Sequence, residues 1–252
     1  MNFKNTLFLC SVMFLVLAAT SYLVALSYTL LFVPFVVFFL FLLWGTVHVK
    51  SNFFIKGIHK LQTDLPLISL TFDDGPDLEF TPKVLEILKE YGYKATFFCI
   101  GKKIEEHPDL IRLIHESGHE VGNHSYSHSS TIDWKSTAGW KQELHACNKL
   151  ITTYTGNPTP SFRPPYGITT PHLALALPTW QNLIGWNCRA FDTQEGSSKK
   201  IVAKLKRQID AGSIVLLHDT HPRIIPILEQ LLPYLKSKGL QSVSVKTLLA
   251  HD

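Results

Sequence analysis

The chain has 252 residues, with 24 Lys or Arg against 20 Asp or Glu and a net charge of +4 when its 12 histidines are neutral. No basic cluster is interleaved with aromatics, so nucleic acid is excluded as the expected partner. None of the four cysteines is paired at C-x-x-C spacing, which disfavours a cysteine-based zinc site and leaves the redox compartment undetermined.

The first element is apolar. No charged residue occurs from Thr6 to Gly45, and one membrane-crossing helix needs about 20 apolar residues, so the run is long enough for two. The expected spans lie near 6 to 25 and 29 to 48, with a turn around Ser27, Tyr28 and Thr29. Pro34 is tolerable in the second span if neighbours satisfy the freed carbonyl. A cleaved signal peptide is the competing reading. Lys4 and the Ala18-Ala19 pair fit it, but the apolar run continues far past that point. The expectation is a multi-pass anchor in a lipid bilayer. Lys4 precedes the spans and Lys50, Lys56 and Lys60 follow them. The positive-inside rule then reads both ends as cytoplasmic, on one lysine at the start, and the side of the domain beyond is left open.

Residues 49–66 read as a linker ending at Pro66. After it, strand-like runs alternate with helical patterns. Expected strands are Leu67 to Phe72, Ala95 to Ile100, His119 to Asn123, Ser161 to Arg163, Leu183 to Phe191, Ser213 to Leu217 and Ser242 to Val245. Expected helices lie near 82–91, within 103–117, and near 137–154, 170–177, 198–210 and 224–237. This alternation implies a parallel sheet covered by helices, either an open doubly wound sheet or a barrel. Potentially reactive residues gather just after the strands: Asp73 and Asp74, His124 and His128, Arg163, Asp192, His218 and Asp219. In parallel α/β folds that rim is where sites are built.

Asp73 and Asp74 close a strand that is then broken by Gly75 and Pro76. Two adjacent carboxylates in an apolar context call for a cation. His124 and His128 stand four apart, so one helical turn would bring both imidazoles to one face. Two histidines and a carboxylate from another strand make a three-ligand site with open positions, as catalytic zinc requires. One aspartate is then expected on the ion and the other held back as a base for water that the ion acidifies to a pKa of about 7. Helix capping or an Asx turn is the plainer alternative for one of the two aspartates.

Four motifs, TFDDGP at 71–76, HSYSH at 124–128, RPPYG at 163–167 and LLH at 216–218, resemble in this order the polysaccharide deacetylases that share the NodB homology domain. The resemblance covers roughly residues 65–249. It implies a distorted (β/α) barrel of about seven parallel strands, preceded here by the two transmembrane helices. It also implies a divalent ion, usually zinc, held by Asp74, His124 and His128. Carried across, Asp73 is the general base, His218 the general acid, and Arg163 the partner that orients Asp73. The backbone N–H of Tyr166 helps hold the tetrahedral oxyanion.

One motif departs from the family pattern. Where relatives show D-x-x-D-W, this chain has RAFDT at 189–193. Asp192 matches the second aspartate and is expected to hold His218 and raise its pKa. Arg189 and Thr193 replace the first aspartate and the tryptophan, so the groove wall and the substrate preference are expected to differ. Trp134, Trp140, Trp180 and Trp186 are available for stacking on sugar rings, although aromatics are more often core residues. His221 reads as a solvated loop residue.

The expected organisation is an anchor at 1–48, a linker at 49–66 and a catalytic domain at 67–252. The expected activity is metal-dependent removal of N-acetyl groups from sugars of a glycan or glycolipid. O-acetyl ester or other amide hydrolysis on the same site, and a silent membrane-tethered glycan-binding protein, are the alternatives.

Overall fold

In the computed structural model, which describes residues 2–24, 27–194 and 196–251, the apolar start forms two helices. The first, α1, is Phe3–Val24. A 3-10 turn, Tyr28–Phe32, then leads into α2, Val33–Val47. Pro34 falls in the first turn of α2, where its missing N–H costs nothing. Both helices keep most of their large apolar side chains exposed, Phe8, Leu15, Phe35 and Phe39 among them.

The remaining chain alternates strands and helices: β1 Gly57–Ile58, β2 Leu67–Gly75, α3 Phe80–Glu90, β3 Ala95–Cys99, α4 Gly101–Glu106, α5 Pro108–Glu116 and β4 Glu120–Asn123. Then come α6 Thr137–Thr155, β5 Ser161–Phe162, α7 Pro171–Ala176, β6 Asn182–Ile184, β7 Cys188–Arg189, α8 Ser198–Gln208, β8 Ile214–His218, α9 Ile224–Ser237, β9 Gln241–Ser242 and α10 Val245–Leu249. The strand order is β1-β6-β5-β4-β3-β2-β8-β7, with β9 beside the start of β2. Every named strand pair is parallel. The sheet curls into a half-barrel, and among the described residues no ladder joins β7 to β1.

Among the described residues, nine strands replace the expected seven for two reasons. The run from Leu183 to Phe191 breaks at Gly185, dividing into β6 and β7. Gly57–Ile58, inside the segment read as a linker, pairs with Leu183 and Ile184 of β6. That segment is no free tether: Val49, Phe53 and Leu61 are buried, and Thr169 N–H donates to Thr46 O at 3.2 Å. The helix expected within 103–117 divides at His107, because the residue before Pro108 is driven out of the helical region.

Period-2 alternation sorts the central strands into two faces. Ile68, Leu70 and Phe72 of β2, with Phe97 of β3 and Val215 and Leu217 of β8, join the outer core beneath the helices. Helix α3 meets it with Thr81, Val84, Leu85 and Leu88, a helical stripe. The opposite faces carry Phe98, Ile214 and Leu216, which pack with Ile184 and Trp186 inside the half-barrel. Thr71 and Asp73 of β2 are on this inner face, and so is His218, two residues beyond Leu216.

Candidate active site

Register sets the first part of the site. Asp73 is level with Phe98 of β3 and His218 of β8, so three strand ends meet there. Alternation alone would send Asp74 to the other side. Instead the ladder shifts between Asp73 and Gly75, and Asp74 adopts a φ of 71°. This bulge turns the second carboxylate back into the same crevice. Gly75 is needed behind it, since a Cβ there would lie 2.6 Å from Asp219 Oδ1.

Arg163, the first residue past β5, is fully buried. One guanidinium nitrogen donates to Asp73 Oδ1 and to Thr71 Oγ1, both at 2.7 Å. Its Nε donates to Ile184 O at 3.1 Å and its second terminal nitrogen to Gly185 O at 2.9 Å. The Phe98 ring lies 4.1 Å beneath the guanidinium. Sequence reasoning missed Thr71, whose hydroxyl donates to Val215 O and accepts from Arg163. Its signal was available: it sits two residues before Asp73 on the same strand face. Asp219, placed on the reactive rim by the sequence but given no role there, is fully buried beside the bulge, where burial pushes its carboxyl up to about 7 against a hydrogen bond from Thr81.

His124 and His128 are not on a helical turn. The loop leaving β4 has positive φ at Ser125 and His128, and the ring centroids of His124 and His128 still come within 4.9 Å of each other. His124 Nδ1 faces the carbonyl of Arg163 at 2.8 Å. A carbonyl only accepts, so Nδ1 carries the proton and Nε2 presents its lone pair. That Nε2 lies 3.4 Å from Asp74 Oδ1, and His128 Nε2 lies 3.2 Å from the same oxygen. The three ligand atoms all lie within 4.8 Å of one another. Bonds of about 2.0–2.1 Å to a tetrahedral ion put its donors roughly 3.3–3.4 Å apart, so two imidazoles and this carboxylate fit a divalent ion. Without an ion, burial works against charge on His124, but Asp73 and Asp74 outweigh it and raise its pKa. Burial, with the neighbouring His124, lowers that of His128.

On the far side, Asp192 is 1% exposed. Its carboxylate accepts His218 N–H at 2.7 Å and Nδ1–H at 2.9 Å. Burial depresses the His218 pKa, but Asp192, then Asp73 and Asp74, raise it to about 8. Tyr166 has a φ of 59°, its ring 4.7 Å from that of His128 and its hydroxyl donating to His128 O. Arg189 lies beside the rings of Trp186 and Phe191, and Thr193 is exposed. Trp140 and Trp186 are buried, whereas Trp134 and Trp180 are exposed. His221 is partly buried and accepts from Arg223 N–H at 3.2 Å.

The polysaccharide deacetylase family model matches residues 60–178. A peptidoglycan-N-acetylglucosamine deacetylase of Bacillus cereus is 33% identical over 187 residues, covering 72% of this chain and 67% of the relative. One from Listeria monocytogenes is 34% identical over 203 residues, covering 80% of this chain and 42% of its own length. The solved structure of a peptidoglycan N-acetylglucosamine deacetylase bound to a naphthalenyl N-oxidanyl-benzamide superposes with a TM-score of 0.72 at 30% identity, covering 77% of this chain and 92% of that one. The chain belongs to the polysaccharide deacetylase family. It is a hydrolase of carbon–nitrogen bonds other than peptide bonds, with a glycan as substrate.

Proposed function

We propose that the chain removes N-acetyl groups from N-acetylated sugars of a glycan or glycolipid, releases acetate, and does so while anchored in a membrane by α1 and α2. One observation carries the reading. The Asp73–Arg163 pair, the Asp74, His124 and His128 group, and the Asp192–His218 pair converge on one end of the half-barrel interior. The named substrates of the relatives, peptidoglycan N-acetylglucosamine and chitooligosaccharide, support an N-acetylated glycan.

Asp74, His124 and His128 would hold a divalent ion, and zinc suits that donor set. When bound, the ion supplies Lewis-acid chemistry that polarises the acetyl carbonyl and makes water a competent nucleophile near neutral pH. Asp73 is the base. Arg163 occupies its Oδ1, while Oδ2 faces the crevice 3.9 Å from His124 Nε2. The attacking water gives its proton to that carboxylate. The Tyr166 backbone N–H, on the loop beside His128, stabilises the oxyanion at the former carbonyl. His218, charged near neutral pH and aligned by Asp192, gives its proton to the departing sugar amine. That step is needed because an amine is too basic to leave unaided.

The anchor reading rests on helix length and surface. The two apolar segments are 22 and 20 residues long, and surface as apolar as theirs requires lipid or protein to cover it. The test uses the full chain in lipid nanodiscs with N-acetylglucosamine oligomers, measuring acetate. Chelation should abolish release and zinc restore it. Asp73→Asn should lower the rate about 10²- to 10⁴-fold with zinc still bound. Acetate release indifferent to both chelator and Asp73→Asn would overturn the mechanism.

A further inference from the structure

Residues 124–128 carry two of the three candidate ligands without belonging to any regular element. Ser125 and His128 have φ of 65° and 45°, values disfavoured for residues with a Cβ unless their surroundings impose them. Here the backbone donors from 125 to 128 each meet a side-chain acceptor. Ser125 N–H donates to Asn123 Oδ1 at 2.8 Å and His128 N–H to Ser125 Oγ at 3.1 Å, both local contacts. The middle two leave the loop: Tyr126 N–H and Ser127 N–H both donate to Glu143 Oε2, at 3.1 and 2.7 Å. Glu143 Oε1 accepts the Ser127 hydroxyl at 2.8 Å and lies 3.3 Å from Lys135 Nζ.

Glu143 comes from α6 and is only 6% exposed. Carboxylates are rarely buried unless their hydrogen bonds are made, and here three of them go to the loop between the histidines. Glu143 is not in the ligand group. The same helix fixes the residue just before the loop, because Asn123 Nδ2 donates to Leu144 O at 3.0 Å and to Asn148 Oδ1 at 2.7 Å. One helix therefore sets the base of the loop, and one carboxylate sets its crest.

We propose that Glu143 is a positioning residue for the metal site, holding the 124–128 loop in the conformation that turns both imidazoles toward Asp74. The proposal rests on the divalent-ion reading given above. Without the carboxylate, two adjacent N–H groups lose their acceptor and the backbone relaxes out of its positive-φ turns, carrying His128 away from His124 and Asp74.

The test measures metal affinity rather than turnover. The full chain, stripped of metal in detergent, is titrated with cobalt(II) by visible absorption and with zinc against a chromogenic chelator. Glu143→Ala should weaken both affinities about 10- to 100-fold, the range for groups that orient metal ligands, and should change the cobalt(II) band. Glu143→Gln should recover most of the affinity, since its amide oxygen still accepts both N–H groups. Glu143→Asp, one methylene too short to span both donors, should bind about tenfold more weakly and covers the case in which the alanine variant does not fold. A purely structural role would lower the melting temperature of the metal-free variants while leaving affinity and cobalt(II) spectrum as in the wild type. That result overturns the proposal. Wild-type protein that binds neither ion would overturn the metal reading instead.

Discussion

Replacing Asp192 with asparagine isolates the acid side of the site. Both carboxylate oxygens are engaged by His218, one by the backbone N–H and one by Nδ1–H, at 2.7 and 2.9 Å. An amide keeps one acceptor and makes the other a donor. With its oxygen on the backbone N–H, the amide nitrogen faces Nδ1, which then bonds only when unprotonated. Imidazolium, with a proton on both nitrogens, is disfavoured. Burial lowers the His218 pKa, and Asp192 is the leading contribution that lifts it from 6.5 to about 8. The variant should titrate near or below 6.5. At about pH 7.5, roughly three quarters of wild-type molecules carry charged His218, against roughly one tenth in the variant, so titration alone costs about eightfold in rate. Complete loss of general-acid assistance sets the other bound, at about 10²- to 10⁴-fold. The assay is acetate release across a pH series in nanodiscs: wild-type activity should fall as pH rises through about 8, and variant activity already through 6.5. Stability follows the same sign. A raised folded-state pKa gives stabilisation that is complete below 6.5 and lost as pH rises through about 8, so the melting-temperature gap between the two proteins should close across that window. An alkaline limb that stays in place, with rates within about twofold of wild type, would refute the assignment.

Arg163→Met removes the donor shared by Asp73, Thr71, Ile184 and Gly185 and leaves a buried carboxylate unpaired. It should cost about 3–5 kcal/mol in denaturant unfolding, and near wild-type stability would show that the pair does not hold the site. Gly75→Ala places a methyl group 2.6 Å from Asp219 Oδ1 and should cost about 1–3 kcal/mol as overpacking. The penalty should shrink in an Asp219→Ala background, and equal penalties in the two backgrounds would mean that this contact is not the cause.

Much of the half-barrel was legible because each core strand advertises itself with a run of β-branched, aliphatic or aromatic residues bounded by Gly or Pro. Ala95–Cys99 and Ile214–His218 fall close to their expected bounds. Gly57–Ile58 was hidden because two residues carry no periodicity; only pairing with Leu183 and Ile184 makes them a strand. The break between Ile184 and Cys188 was hidden in the same way, inside one continuous apolar run. At the site, the residue types of Asp73, Asp74, His124, His128, Arg163, Asp192 and His218 were readable, each just after a strand. The backbone that aims them was not: four-residue spacing suggested a helical turn for the two histidines, while the structure has a loop with positive φ. Glu143 gave no signal, because a lone glutamate on an amphipathic helix usually faces water.

By itself the sequence determined the parallel α/β class, the apolar pair of leading helices and the chemical inventory of the site. These are written in composition and periodicity, which are local properties of a chain. Only the tertiary structure decided that Asp73 and Asp74 share one crevice, that Thr71 and two carbonyls complete the cradle of Arg163, and that α6 reaches back to hold the loop between the histidines. Each of these joins residues far apart in the chain or depends on a single strained dihedral, and such contacts are fixed by the mutual packing of whole elements rather than by the preferences of any one segment.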